Sequence, residues 1–249
     1  MEYLLGFVIA LAIGLTGVGA GSVTTPILIL FLGIPAGPAV GTALIYSTAV
    51  KVMAAPVYVK RKQVHWRTLA LLTVGGLPGV LIGSILLGRF NVKNNQDLVY
   101  SVLGLTIVSM AAINLYRLVR NPERRLVKDR SRWLPFIAAP IGAEVGFSSA
   151  GAGALGSIAL LGLTGLTAGQ VVGTDMFFGL VMSTIGGGFQ VHAGNYAPDL
   201  VWKLVIAGVP GAIVGANLAA ILPPRPLRFA LSMWIIGLGA QLCWRGLAR

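Results

Sequence analysis

Eight apolar runs, each bounded by charged or turn-rich gaps, divide the chain: 3–32, 38–59, 68–88, 97–117, 134–164, 168–191, 200–222 and 227–245. A membrane-crossing helix needs about 20 mainly apolar residues, and every run is about that long or longer. Such runs cannot be hidden in a soluble fold with so little charge. Hydrophobic residues make up 56% of the 249, and charged ones only 10%, against roughly 25% in an ordinary soluble domain. A soluble enzyme, a nucleic-acid-binding domain and a disordered chain are therefore poor fits. Strands of a membrane barrel alternate apolar and polar residues over about ten positions, whereas these runs are unbroken. The expected fold is an all-α polytopic membrane protein of about eight transmembrane helices.

The net charge of +12 is topology, not a nucleic-acid footprint. With a cytoplasmic N-terminus and one crossing per run, 14 of the 19 Lys and Arg fall on the cytoplasmic side and 4 outside, with Lys51 inside a span. Basic residues concentrate in cytoplasmic loops of membrane proteins. This places both termini in the cytoplasm of an inner-membrane protein, with anionic lipid as a partner for the basic side. Met1-Glu2-Tyr3-Leu4-Leu5 has no basic lead-in, so the first run is expected to stay as a span.

The chain matches itself at a fixed offset of 132. Gly19-Ala20-Gly21 aligns with Gly151-Ala152-Gly153, Val40-Gly41-Thr42 with Val172-Gly173-Thr174, and Pro78-Gly79 with Pro210-Gly211. Over positions 14–86 there are 18 identities, and matched Gly-Thr and Pro-Gly pairs are not what apolar composition alone produces. The expectation is two homologous four-helix repeats with Gly-broken first helices: 1–118, a basic cytoplasmic linker 119–133, and 134–249. Four crossings per repeat imply halves of the same orientation. If the first run of each repeat were a re-entrant hairpin, the halves would instead be inverted and Lys60-Arg61-Lys62 would lie outside; the charge count argues against that.

Gly14–Ser22 and Gly146–Ala154 are the most informative stretches. Glycines in a spanning run break the helix, and a new helix N-terminus exposes N–H groups that attract anions. Broken backbone at membrane depth is tolerated where it is buried or lines a cavity, and matched breaks in two halves point to a transport site. Close packing of small residues is the other reading. The candidate substrate-binding residues are Thr16, Gly17, Gly19, Gly21, Ser22, Thr42, Lys51, Ser148, Ser149, Gly151, Gly153 and Thr174. Pro78-Gly79 and Pro210-Gly211 read equally as packing kinks or gating hinges.

Three ionisable groups lie inside spans, each at a cost of about 2.5–3.5 kcal/mol at mid-bilayer. None is duplicated: Lys51, Glu144 and Asp175 align with Ser183, Ala12 and Ala43. Lys51 is a candidate partner for an anion, or pairs with Asp175 or Glu144, or snorkels. Glu144 and Asp175 are candidates for proton coupling, and Asp175 equally for a helix cap. His65 and His192 read as interfacial residues, and two histidines with one cysteine, Cys243, leave no metal cluster and no disulfide. The five tryptophans fit an aromatic belt. No G-x-S-x-G, H-E-x-x-H or P-loop is present, so no catalytic residue, cofactor or enzymatic role is expected.

With these residues in view, the chain resembles the sulfite exporter TauE/SafE family over essentially its whole length. The resemblance rests on Gly17–Ser22 and Ser148–Gly153, Pro26, and the repeated Val-Gly-Thr and Pro-Gly motifs. It implies export of sulfur-containing or organic anions. The expected function is secondary transport of small sulfur oxyanions such as sulfite or organosulfonates, bound mid-membrane between the repeats, with proton coupling as a hypothesis. An anion channel, or a permease for a small organic carboxylate, is the alternative. Expected partners are the anionic substrate and lipid, with a homodimer left open and nucleic acid excluded.

Overall fold

A computed structural model of the protein describes residues 2–16, 20–90, 96–120, 130–218 and 224–247. Ten α-helices are described: α1 (Glu2–Thr16), α2 (Ala20–Leu32), α3 (Ala36–Lys60), α4 (Trp66–Phe90), α5 (Gln96–Arg120), α6 (Leu134–Ser148), α7 (Leu155–Leu163), α8 (Ala168–His192), α9 (Pro198–Leu218) and α10 (Pro224–Leu247). No strand is described. Five of them contain spans long and apolar enough to cross a membrane: 36–60, 66–89, 96–116, 168–192 and 198–215. At 1.5 Å per residue, the 25-residue helices reach about 37 Å, enough for the ~30 Å hydrocarbon core. The protein is a multi-pass helical membrane protein.

The helices stop where local chemistry requires. Gly33, with φ +65°, ends α2, and Ile34 N–H closes the turn on the Leu28 carbonyl at 3.2 Å. Thr167 opens α8 with a capping box: its hydroxyl accepts from Gln170 N–H, while the Gln170 side chain returns to the Thr167 backbone.

The second Gly-broken run does not cross as a single kinked helix. The arms α1, α2, α6 and α7 have 15, 13, 15 and 9 residues, about 14–22 Å each, too short to span. In the second run the chain reverses at 149–153, where Ser149, Gly151 and Gly153 have φ of 60°, 96° and 106°. A Cβ on Gly151 would meet the Glu144 and Val145 side chains, so the loop folds back along α6. The two feet touch: Arg130 N–H, just before α6, donates to the Leu163 carbonyl at the end of α7 at 2.8 Å. The run 134–164, expected to cross once as a broken helix, instead folds into a helical hairpin with its two feet together. In the first run, α2 enters α3 through the tight 33–35 turn, and α1 runs parallel to α9. Gly6, Gly211 and Gly215 mark that seam, against Leu204, Phe7 and Leu11 in turn.

Helix directions also correct the expected same-way halves. Along the α3–α8 seam Gly41 lies against Gln190, Leu44 against Gly186, Thr48 bonds Ser183 and Lys51 meets Gly179. Rising numbers on one helix meet falling numbers on the other, so α3 and α8 are antiparallel. The same holds for α5 and α10, where Gly104 packs on Gly239 and Cys243, and Gly246 on Ser101. Halves of one orientation would require α3 and α8 to run the same way.

The Val-Gly-Thr and Pro-Gly motifs serve the packing of these helices. Gly41 and Gly173 admit the Asn195 and Gln63 carbonyls. Thr42 Oγ1 accepts from Ala197 N–H, and Thr174 Oγ1 from His65 N–H, each at 3.0 Å. Each threonine therefore caps the entry to α9 or α4. Gly79 and Gly211 admit the Ala139 and Phe7 carbonyls along the α4–α6 and α1–α9 seams. Both helices are continuous through Pro78 and Pro210. Small residues that let backbones approach are the usual adhesive between membrane helices.

Candidate functional site

The second hairpin tip gathers several of the polar groups buried in the core. Ser148 Oγ donates to Glu144 Oε1 at 2.7 Å and accepts from Ala150 N–H at 3.1 Å. One residue on, Ser149 Oγ lies 2.5 Å from Thr25 Oγ1 of α2. This contact joins the second tip to α2, and Gly21 in the first turn of α2 packs directly on the Ser149 carbonyl. Buried hydroxyls in such a setting need partners, and each has found one.

Asp175, on α8, is 3% exposed. Its Oδ2 accepts from Ser157 Oγ at 2.6 Å and its Oδ1 from Gly153 N–H at 3.4 Å. The carboxylate lies over the first turn of α7, in the space a Cβ on Gly156 would take. An anion there meets unpaired N–H groups and the positive end of the helix.

Lys51 comes from α3, across the antiparallel seam. Its ammonium rests on the Cα of Gly179, where a Cβ would come within 2.7 Å, and Ala152 of the tip loop closes the same space. Gly179 is one turn beyond Asp175 on α8, so Lys51 and Asp175 attract one another. They are not in contact: among the described residues the ion pair within 4 Å is Lys203–Glu2 at 2.7 Å, joining the starts of α9 and α1.

The predicted residues thus separate into groups. Gly21 and Ser149 meet at the junction of the hairpins; Glu144 and Ser148 form a second cluster; Gly151, Gly153, Lys51 and Asp175 surround the start of α7. Ser22 is buried and lines a cavity of about 20 Å³ with Asn114, Gly151, Ala152 and Ser232. That is room for about one water. Thr42 and Thr174 lie outside all of these, in the caps described above. Gly17, Gly19 and the side chain of Thr16 fall outside the described residues. A larger concavity, about 430 Å³, lies elsewhere, on an apolar face between Val52, Val59 and Leu180, and holds none of the candidates.

Thr25, Ser157, Gly156 and Gly179 were not among the predicted residues. Thr25 and Ser157 had a usable signal: they align at the 132-residue offset and both carry hydroxyls. His65 proves to be a cap, its Nδ1 2.7 Å from Thr68 Oγ1 at the start of α4.

Comparison with known proteins decides the family. Residues 3–242 match the family described as "Sulfite exporter TauE/SafE". The chain belongs to this family. It is 28% identical, over 96% of its own length and 97% of the relative's, to "Probable membrane transporter protein YjnA" of Bacillus subtilis (strain 168). No solved structure matches it. A TauE/SafE chain with helices of spanning length is an integral membrane transporter.

Proposed function

We infer that the protein is a secondary transporter that moves a small sulfur-containing oxyanion, such as sulfite or an organosulfonate, outward across the inner membrane. The observation that carries this reading is the convergence of Lys51, the tip of the second hairpin and the start of α2 in the core. An ammonium at membrane depth with no ion-pair partner in contact is expensive, and a monovalent or divalent oxyanion would offset that cost. The family's description as sulfite exporters supports the substrate class. Glu144 and Asp175 are the groups that would couple protons. Ser149, Ser22 and the first turns of α2 and α7 would supply donors, and the inside-negative potential would assist exit at about 2.3 kcal/mol per charge per 100 mV.

On this reading the molecule consists of two inverted halves, α1–α5 and α6–α10, each a hairpin followed by three crossings. Helix starts support it, since α1, α3 and α4 begin 132 residues before α6, α8 and α9. The basic residues then redistribute. The α3–α4 turn, the α5–α6 connection and the beginning of α10 carry 13 Lys and Arg, and the opposite side 5. The positive-inside rule makes the first side cytoplasmic and places both termini outside, opposite to the orientation expected from eight crossings.

Flux in proteoliposomes tests the function. Sulfite, a small sulfonate, sulfate and a carboxylate are compared with and without a pH gradient. Saturable sulfite flux, lost in Lys51→Ala, is expected. No flux of any sulfur anion, or preference for the carboxylate, would refute the substrate class. Normal transport by both Glu144→Gln and Asp175→Asn at every gradient would refute proton coupling.

A further inference from the structure

The N–H groups that a broken helix would offer to an anion are not idle at the second tip. Ala150 N–H is bonded to Ser148 Oγ, Ala152 N–H to the Ala150 carbonyl at 3.2 Å, and Gly153 N–H to Asp175. The start of α7 already holds a carboxyl group, and that group is a side chain of the protein. Its seat is specific in shape: Gly156 has no side chain where the carboxylate lies, and Ser157 turns its hydroxyl to it at 2.6 Å. The first half has no such occupant. There the aligned residues are Ala43 in place of Asp175 and Thr24 in place of Gly156, both buried.

We propose that the place held by the Asp175 carboxylate, formed by Gly153 N–H, Ser157 and the Cα of Gly156, is the transporter's anion seat, and that Asp175 and the transported oxyanion occupy it in turn. Resting on the transport reading above, this assigns Asp175 as an internal competitor, not solely a proton carrier. Three features carry it. A carboxylate sits there now, so the donors suit an anion. Lys51 of α3, which rests on Gly179 one turn along α8, is positioned to attract either occupant and is in ion-pair contact with neither Asp175 nor Glu144. The neighbouring cavity of about 20 Å³, lined by Gly151, Ala152 and Ala154 of the tip, is too small to take a sulfur oxyanion. The charged groups around the seat are few. Lys51 faces it from α3, Glu144 of α6 is turned to Ser148, and α7 contributes none.

The test is thermal unfolding of the purified full chain in detergent, with sodium sulfite or sodium formate titrated against gluconate, an anion too large for the seat. Removing a tethered competitor raises apparent affinity by the fraction of time it held the site. Asp175→Ala should therefore be stabilised at anion concentrations about tenfold or more below those wild type requires. The rise in Tm should be about 2–4 °C for each fivefold gain in the folded-to-unfolded ratio. Ser157→Ala added to Asp175→Ala should remove most of the response. Equal titration of wild type and Asp175→Ala, no response in either, or a double variant that responds as well as the single, would each overturn the proposal. Should Asp175→Ala not accumulate, Asp175→Ser gives the same readout, with a neutral hydroxyl left beside Ser157. None of these measurements depends on flux, so failure of the transport reading and failure of this one are separable.

Discussion

At the tip of the second hairpin the carboxylate of Asp175 lies over the first turn of α7, and Gly156 leaves it room. At the aligned positions of the first half stand Ala43 on α3 and Thr24 on α2. The hydroxyl pair differs in the same way: Ser157 bonds Asp175, while its counterpart Thr25 bonds Ser149 of the opposite half. Elsewhere the halves agree closely. Thr42 and Thr174 cap equivalent helix starts, Gly79 and Gly211 admit equivalent carbonyls, and Tyr46 and Phe178 fill equivalent places beside Gly208 and Gly76. The scaffold is shared and the charge is not. Groups that make one copy of a duplicated site unlike the other are the ones that packing alone does not explain.

Substitutions can break that comparison. The largest effect is expected at Lys51, which has no charged counterpart. Lys51→Ala should lower sulfite flux by about 10–100-fold, since a charge-assisted hydrogen bond contributes roughly 1.5–3 kcal/mol; Ser183→Ala, at the aligned position, should change flux less than about twofold. Next is Gly156→Ala, whose new methyl collides with Asp175 and should destabilise the fold by about 1–3 kcal/mol. Thr24→Gly, the reciprocal change, lacks this collision, but Thr24 is buried and its loss adds a cavity to the ~1 kcal/mol of a glycine in a helix; thermal unfolding in detergent compares the two. Smallest is a symmetric pair. Thr42→Val and Thr174→Val each remove one cap, at about 0.5–2 kcal/mol, and their shifts in Tm should agree. Unequal shifts would show that the caps are not equivalent.

Much of this was legible beforehand. Long apolar runs with few charges require a helical membrane protein, and the matched Gly-rich, Val-Gly-Thr and Pro-Gly motifs locate the features both halves share. The direction of the first run in each half was not legible. An apolar run of about 30 residues accommodates one broken crossing or two short arms equally well, and the choice depends on contacts distant in sequence, such as Arg130 with Leu163. The basic residues did not resolve it, because the alternative topology has nearly as strong an imbalance with the orientation reversed. Thr42 and Thr174 illustrate a related point: a threonine after a conspicuous glycine looks alike in sequence whether it faces a substrate or, as the hydroxyls do here, a neighbouring backbone. Asp175 was found because a carboxylate in an apolar run is costly, but its partners Ser157 and Gly156 lie about twenty residues away and only the fold joins them.

The inverted arrangement of the two halves is open to a direct test. Cys243 is the sole cysteine, so replacing it leaves a background for single reporters. Arg61→Cys, after α3, and Ala193→Cys, after α8, stand at equivalent exposed turns. With a membrane-impermeant maleimide on oriented vesicles, the two should label from opposite faces, Arg61→Cys from the cytoplasmic one. Labelling of both from the same face would contradict the account.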